Sequence, residues 1–107
     1  MKVSSTPTHV FVLPFVYDKY AEKFVVTYAQ GGEDGAVVLR KTEEDIGSGV
    51  SVSGNCLTVE LTQDETKKFE QGEAVAEVKV WTKNRKALIS DKIYIPVEAV
   101  LDDEAFV

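Results

Sequence analysis

Valine dominates this sequence, and it alternates. Seventeen Val and 4 Ile stand against 6 Leu, with 8 Thr and 10 aromatic residues beside them. β-branched and aromatic side chains suit a pleated, half-buried surface, whereas helices favour Leu, Ala, Glu and Lys. The alternation is clearest in two segments. From Lys23 to Gln30, Phe24, Val26 and Tyr28 share one face, and Val25, Thr27 and Ala29 the other. From Ala74 to Thr82, Ala74, Ala76, Val78 and Val80 oppose Val75, Glu77, Lys79 and Trp81. A period of two over eight or nine residues is the signature of a strand with one buried face.

Other strands follow. Val10 to Leu13 opens the series after a polar leader (residues 1–8), and Pro14 marks an edge or a bulge. Gly31 to Gly35 turns the chain into a strand over Ala36 to Lys41, which completes a hairpin. Val50 to Val52 is short, and Cys56 to Leu61 directs Leu57, Val59 and Leu61 inward. Ala87 to Val97 reads as one long final strand, with Ile89, Ile93, Ile95 and Val97 on one face. Tyr17 to Tyr20 is a polar link. Thr62-Gln63-Asp64-Glu65 has the form of a capping box, so one or two helical turns are expected over Gln63 to Phe69, with Phe69 as an apolar anchor.

Six or seven strands in 107 residues, punctuated every 8 to 12 positions, predict an all-β, immunoglobulin-like antiparallel sandwich of about seven strands. The helical turn near residues 63–69 is its crossover between sheets. One domain spans 1–107, ending in an acidic-apolar tail over 99–107.

Charge and cysteine content restrict function. Twelve Lys plus Arg against 18 Asp plus Glu give a net charge of −6, which opposes attraction to nucleic-acid phosphates. The leader contains no apolar stretch of the kind that directs secretion, and no apolar run approaches the roughly 20 residues of a membrane helix. The single Cys56 forms no internal disulfide and lacks a thiolate partner for a metal. It reads as a small buried hydrophobe. The single His9, at the start of a strand, reads as exposed or half-buried.

No catalytic constellation emerges, and no cofactor or metal is expected. The acidic clusters Glu33-Asp34, Glu43-Glu44-Asp45 and Asp102-Asp103-Glu104 fall in turns, a connection and the tail, where solvated charge is the ordinary condition. Lys83-Asn84-Arg85-Lys86 is the one basic cluster and reads as a charged hairpin turn. Apolar residues in excess of one inner face point elsewhere. Phe11, Leu13 and Phe15 oppose Val10, Val12 and Val16, and Trp81 lies on the nominally outer face. Phe11, Leu13, Phe15 and Trp81 are therefore the candidate interface residues.

Four segments carry a resemblance: Phe24 to Gln30, Leu57 to Phe69 (with its Leu-Thr-Gln-Asp-Glu-Thr), Ala76 to Thr82, and Ala87 to Ile93. In this order they resemble the N-terminal β-sandwich of phage baseplate upper proteins, among the short structural proteins of phages and prophages of Gram-positive bacteria. Asn84-Arg85-Lys86 departs from the pattern, where Asp-Gly is expected. No receptor-binding extension follows, so no host-recognition role is implied. The resemblance implies a noncatalytic virion protein, made in the bacterial cytoplasm. Its partners would be other virion structural proteins, and self-association into a homo-oligomer is the related expectation. The alternative is a ligand- or carbohydrate-binding sandwich of a bacterial surface protein, for which Trp81 or the Tyr17/Tyr20 pair would supply an aromatic platform.

Overall fold

The computed structural model describes residues 1–31 and 35–101. The acidic clusters at Glu33-Asp34 and Asp102-Asp103-Glu104 lie outside the described residues. Among the described residues eight strands form two antiparallel sheets. β1 (Thr8–Val12), β5 (Cys56–Glu60) and β4 (Val50–Ser53) make the smaller sheet, in the order β1-β5-β4. β3 (Ala36–Thr42), β2 (Ala21–Gln30) and β6 (Gly72–Thr82) make the larger, with β7 (Ala87–Ile89) and β8 (Ile93–Val97) sharing the far side of β6. The immunoglobulin-like sandwich is the architecture observed.

Alternation decides which faces meet. Phe24, Val26 and Tyr28 of β2 and Ala74, Ala76, Val78 and Val80 of β6 are all buried, opposite Phe11, Leu57, Val59 and Val50 of the smaller sheet. Burying each large apolar side chain contributes about 1.5–3 kcal/mol. A one-residue slip of β2 would turn Phe24, Val26 and Tyr28 to solvent together, so the register is strongly fixed.

The chain changes sheet three times, each time through a short helical turn. α2 (Gln63–Thr66) carries β5 to β6 and has the expected capping box. The Thr62 hydroxyl accepts from Glu65 N–H at 3.2 Å, and the Glu65 carboxylate accepts from Thr62 N–H at 2.9 Å. Backbone bonds continue the turn to Phe69, which is buried edge-on against Tyr28 with ring centroids 6.0 Å apart. A 3-10 turn at Glu43–Asp45 carries β3 to β4 and has a second capping box, on Thr42 and Asp45. It was legible as Thr-x-x-Asp but reads from composition as a plain acidic connection. α1 (Tyr17–Tyr20) carries β1 to β2 and corrects the polar-link expectation. One helical turn rolls Tyr17 inward onto Phe24, with ring centroids 5.7 Å apart, while Asp18, Lys19 and Tyr20 stay exposed.

The final strand also needs correction. Ser90 to Lys92 interrupt it: Lys79 pairs with Ile89 and Ala76 with Ile93, so three residues lie opposite two of β6. Ser90 accounts for the break, because its N–H donates to Val78 O at 2.8 Å while its hydroxyl accepts from Val78 N–H at 2.9 Å. The extra residue reverses parity. Ile89 shares the outer face with Lys79 and Trp81, and Ile95 and Val97 pack inward. The leader is docked as well. Val3 N–H donates to Glu98 O, and the wholly buried Thr66 donates its hydroxyl to Ser5 O at 2.9 Å.

Candidate interaction surface

β1 sorts its side chains in the opposite sense to an exposed aromatic stripe. Phe11 pairs with Leu57 and points into the core, and Leu13 is buried behind it. The outward residues are Val10, 57% exposed, and Val12, 71% exposed, with Val16 also exposed beyond them. Burial of its larger, inward side chains fixes this choice. Phe11 and Leu13 thus serve the core, and β1 offers a valine surface to solvent.

β1 is an edge strand, and β7 bounds the facing sheet on the same side of the sandwich. Between them runs an open apolar seam. A groove of about 130 Å3 is floored by Leu13, Val78 and Val80 and flanked by Val12, Phe15 and Ile89. A wider cleft of about 320 Å3 adjoins it and shares Phe15 and Leu88. Leu88 and Ile89 are both exposed. Of the expected interface residues, the fold brings Leu13 and Phe15 to this seam and leaves Phe11 beneath it. Ile89 was missed because its outward placement depends on the break at Ser90, and Leu88, opposite Val80, because its exposure depends on β7 lying at the edge of the sheet.

Trp81 is on the outer face of the larger sheet, half-buried, away from the seam. The Lys23 and Lys79 ammonium groups stand 4.8 and 4.9 Å from its ring centroid. This double cation–π contact covers the indole from within the sheet, since Lys23 is its cross-strand partner and Lys79 its neighbour along β6.

Four titratable groups, His9, Tyr28, Lys41 and Glu65, gather at the inner side of the sheets. His9 is half-buried, and its Nδ1 lies 2.8 Å from the hydroxyl of the fully buried Tyr28. Burial lowers the His9 pKa, and burial followed by the nearby Glu65 charge raises that of Tyr28. Lys41, on the inner face of β3, meets the Glu65 carboxylate at 2.5 Å, with 9% and 20% of the two side chains exposed. Burial would raise the Glu65 pKa. Hydrogen bonds from Lys41 and Thr62, with the lysine charge, more than offset it and hold the carboxyl below its ordinary value. None of these four side chains lines either seam cleft. They bind α2 and the two sheets together. Cys56 is half-exposed on the outer face beside Val12, contrary to the buried reading, because its parity is opposite to that of Leu57.

Among the described residues no group of three or more His, Cys, Asp or Glu is placed to hold a metal ion, and no helix is long and apolar enough to cross a membrane. The fold and the seam define an all-β sandwich with an apolar open edge. Compared with known protein families, curated proteins and solved structures, the chain matches none.

Proposed function

We propose that this protein is a noncatalytic structural or assembly module of a phage or prophage virion, docking onto neighbouring subunits through the β1–β7 seam. The observation that carries the reading is the exposure of Val10, Val12, Leu88 and Ile89 along one open edge. A monomeric domain gains nothing from leaving such a strip in water, whereas a second subunit covering it removes apolar surface at about 25 cal/mol per Å2. An edge strand also presents unpaired backbone groups to a partner strand. The resemblance of four segments to baseplate upper-protein sandwiches supplies the setting. The surface-binding alternative has less support, because Tyr17 is buried and Trp81 lies between two lysines, which leaves Tyr20 as the one open member of the expected platform.

The test is incorporation into particles. Virions purified from an induced Gram-positive host carrying this chain are analysed by mass spectrometry, for wild type and for Val12→Asp with Ile89→Asp. Wild-type chain should be present and the variant depleted at least tenfold, with unchanged circular dichroism. Particles without the wild-type chain overturn the virion assignment, and equal incorporation overturns the seam.

A further inference from the structure

The wider cleft differs from the rest of the seam in charge. Phe15, Tyr20 and Leu88 form its apolar wall, and Lys19, Lys83 and Lys86 stand around it, with no carboxylate among the described residues of its lining. In a chain of net charge −6, three clustered cations with no acidic partner among the described residues are a local inversion. The cleft is also held in shape. Lys83 N–H donates to Tyr20 O at 2.9 Å and Lys83 Nζ to Asp18 O at 2.8 Å, which clamps the β6–β7 turn onto α1. Within the turn, Lys86 N–H donates to the Thr82 hydroxyl at 3.0 Å and Arg85 N–H to Thr82 O at 3.0 Å. Phe15 and Tyr20 meet edge to face with centroids 6.1 Å apart. At about 320 Å3 the cleft is large enough for one aromatic side chain with its flanking backbone.

The complementary chemistry is an acidic stretch followed closely by an aromatic residue, and the chain carries it in Asp102-Asp103-Glu104-Ala105-Phe106. We propose that the Lys19/Lys83/Lys86 cleft binds this segment of a second copy, with Phe106 against Phe15 and Tyr20 and the carboxylates at the lysines. Covalent reach works against the same molecule, whose tail would have to run fully extended along the whole sheet to bring Phe106 to the cleft. Glu98 is bound to Met1 and Val3 at the Gly72 end of the larger sheet, where Val97 pairs with Gly72. Eight residues from Glu98 to Phe106 span at most about 28 Å. Thr82, at the cleft, is ten residues along β6 from Gly72, or about 33 Å away. The contact is therefore between copies and head to tail, and repeated it makes rings or filaments. It deepens the assembly reading: it shares Phe15 and Leu88 with the valine seam but adds Lys19, Lys83 and Lys86, which the seam groove does not use.

Two variants make the test decisive: a cleft variant (Lys83→Glu with Lys86→Glu) and a tail variant (Asp102→Lys, Asp103→Lys and Phe106→Ser). Light scattering after size exclusion at 50 mM salt should show wild type as concentration-dependent oligomers and each variant alone as a monomer. Mixed, the two variants should form a one-to-one heterodimer, because one retains an intact tail and the other an intact cleft. A peptide of residues 99–107 should bind wild type, with at least tenfold weaker binding to the cleft variant and at 500 mM salt. A monomeric wild type, a mixture that stays monomeric, or equal peptide binding by both proteins overturns the proposal. Oligomers that persist in the cleft variant and at high salt, but are lost in Val12→Asp with Ile89→Asp, overturn it while leaving the seam contact standing.

Discussion

Breaking the Lys41–Glu65 pair from either side should cost about as much as removing both partners. Lys41 Nζ lies 2.5 Å from the carboxylate, with the lysine side chain 9% and the glutamate 20% exposed. Exposed pairs contribute at most about 1 kcal/mol, and losing one partner of a fully buried pair costs about 3–5 kcal/mol. This pair falls between those limits, so about 2 kcal/mol is expected for Lys41→Met and for Glu65→Gln. The amide introduced by Glu65→Gln would keep an acceptor for Thr62 N–H, so that substitution isolates the charge. In a chain of this size about 2 kcal/mol lowers Tm by roughly 8–12 °C. The double variant leaves no unpaired charge, and its loss should not exceed that of either single change, a coupling of about 2 kcal/mol. The assay is urea and thermal unfolding followed by circular dichroism at pH 7. A pH series adds a second reading. Because the Glu65 carboxyl lies below its ordinary value, the stability it contributes is present above pH 4.5 and is lost as pH falls through the folded-state value. The gap between wild type and Lys41→Met should therefore close as pH falls below the folded-state value. Single effects that add in the double variant to within about 0.5 kcal/mol would refute the coupling.

Val78→Asp should prevent folding, since an unpaired carboxylate at a position 2% exposed costs several kcal/mol, while Lys79→Asp should fold; equal melting temperatures would contradict the face assignment. Burial lowers the His9 pKa, so wild-type stability should fall as pH drops from 6.5 through the folded-state value, and a His9→Asn variant should show a flatter profile over the same window in thermal melts. Gly49→Ala should lose about 1–3 kcal/mol in urea unfolding, because φ is +96° and the new Cβ would sit 3.1 Å from Glu60 O; a neutral result would mean that this turn relaxes freely.

Strand identity and inner face were legible in the sequence because a strand's side-chain period is a local property of its backbone. Phe24-x-Val26-x-Tyr28 and Ala74-x-Ala76-x-Val78-x-Val80 announce both without reference to partners. The Thr62–Glu65 cap was legible for the same reason, since all its bonds lie within four residues. What lay beyond the sequence depends on contacts between distant segments. Ser90 breaks the last strand only because Val78, twelve residues earlier, lies opposite to exchange hydrogen bonds with it, and that break turns Ile89 outward. Lys41 stands on an inner face because Glu65 arrives there from another crossover. The lysine cleft exists because the β6–β7 turn folds onto α1, joining residues more than sixty positions apart. Alternation is written in neighbouring residues; which edges stay open, and which charges meet, follows from how the sheets pack.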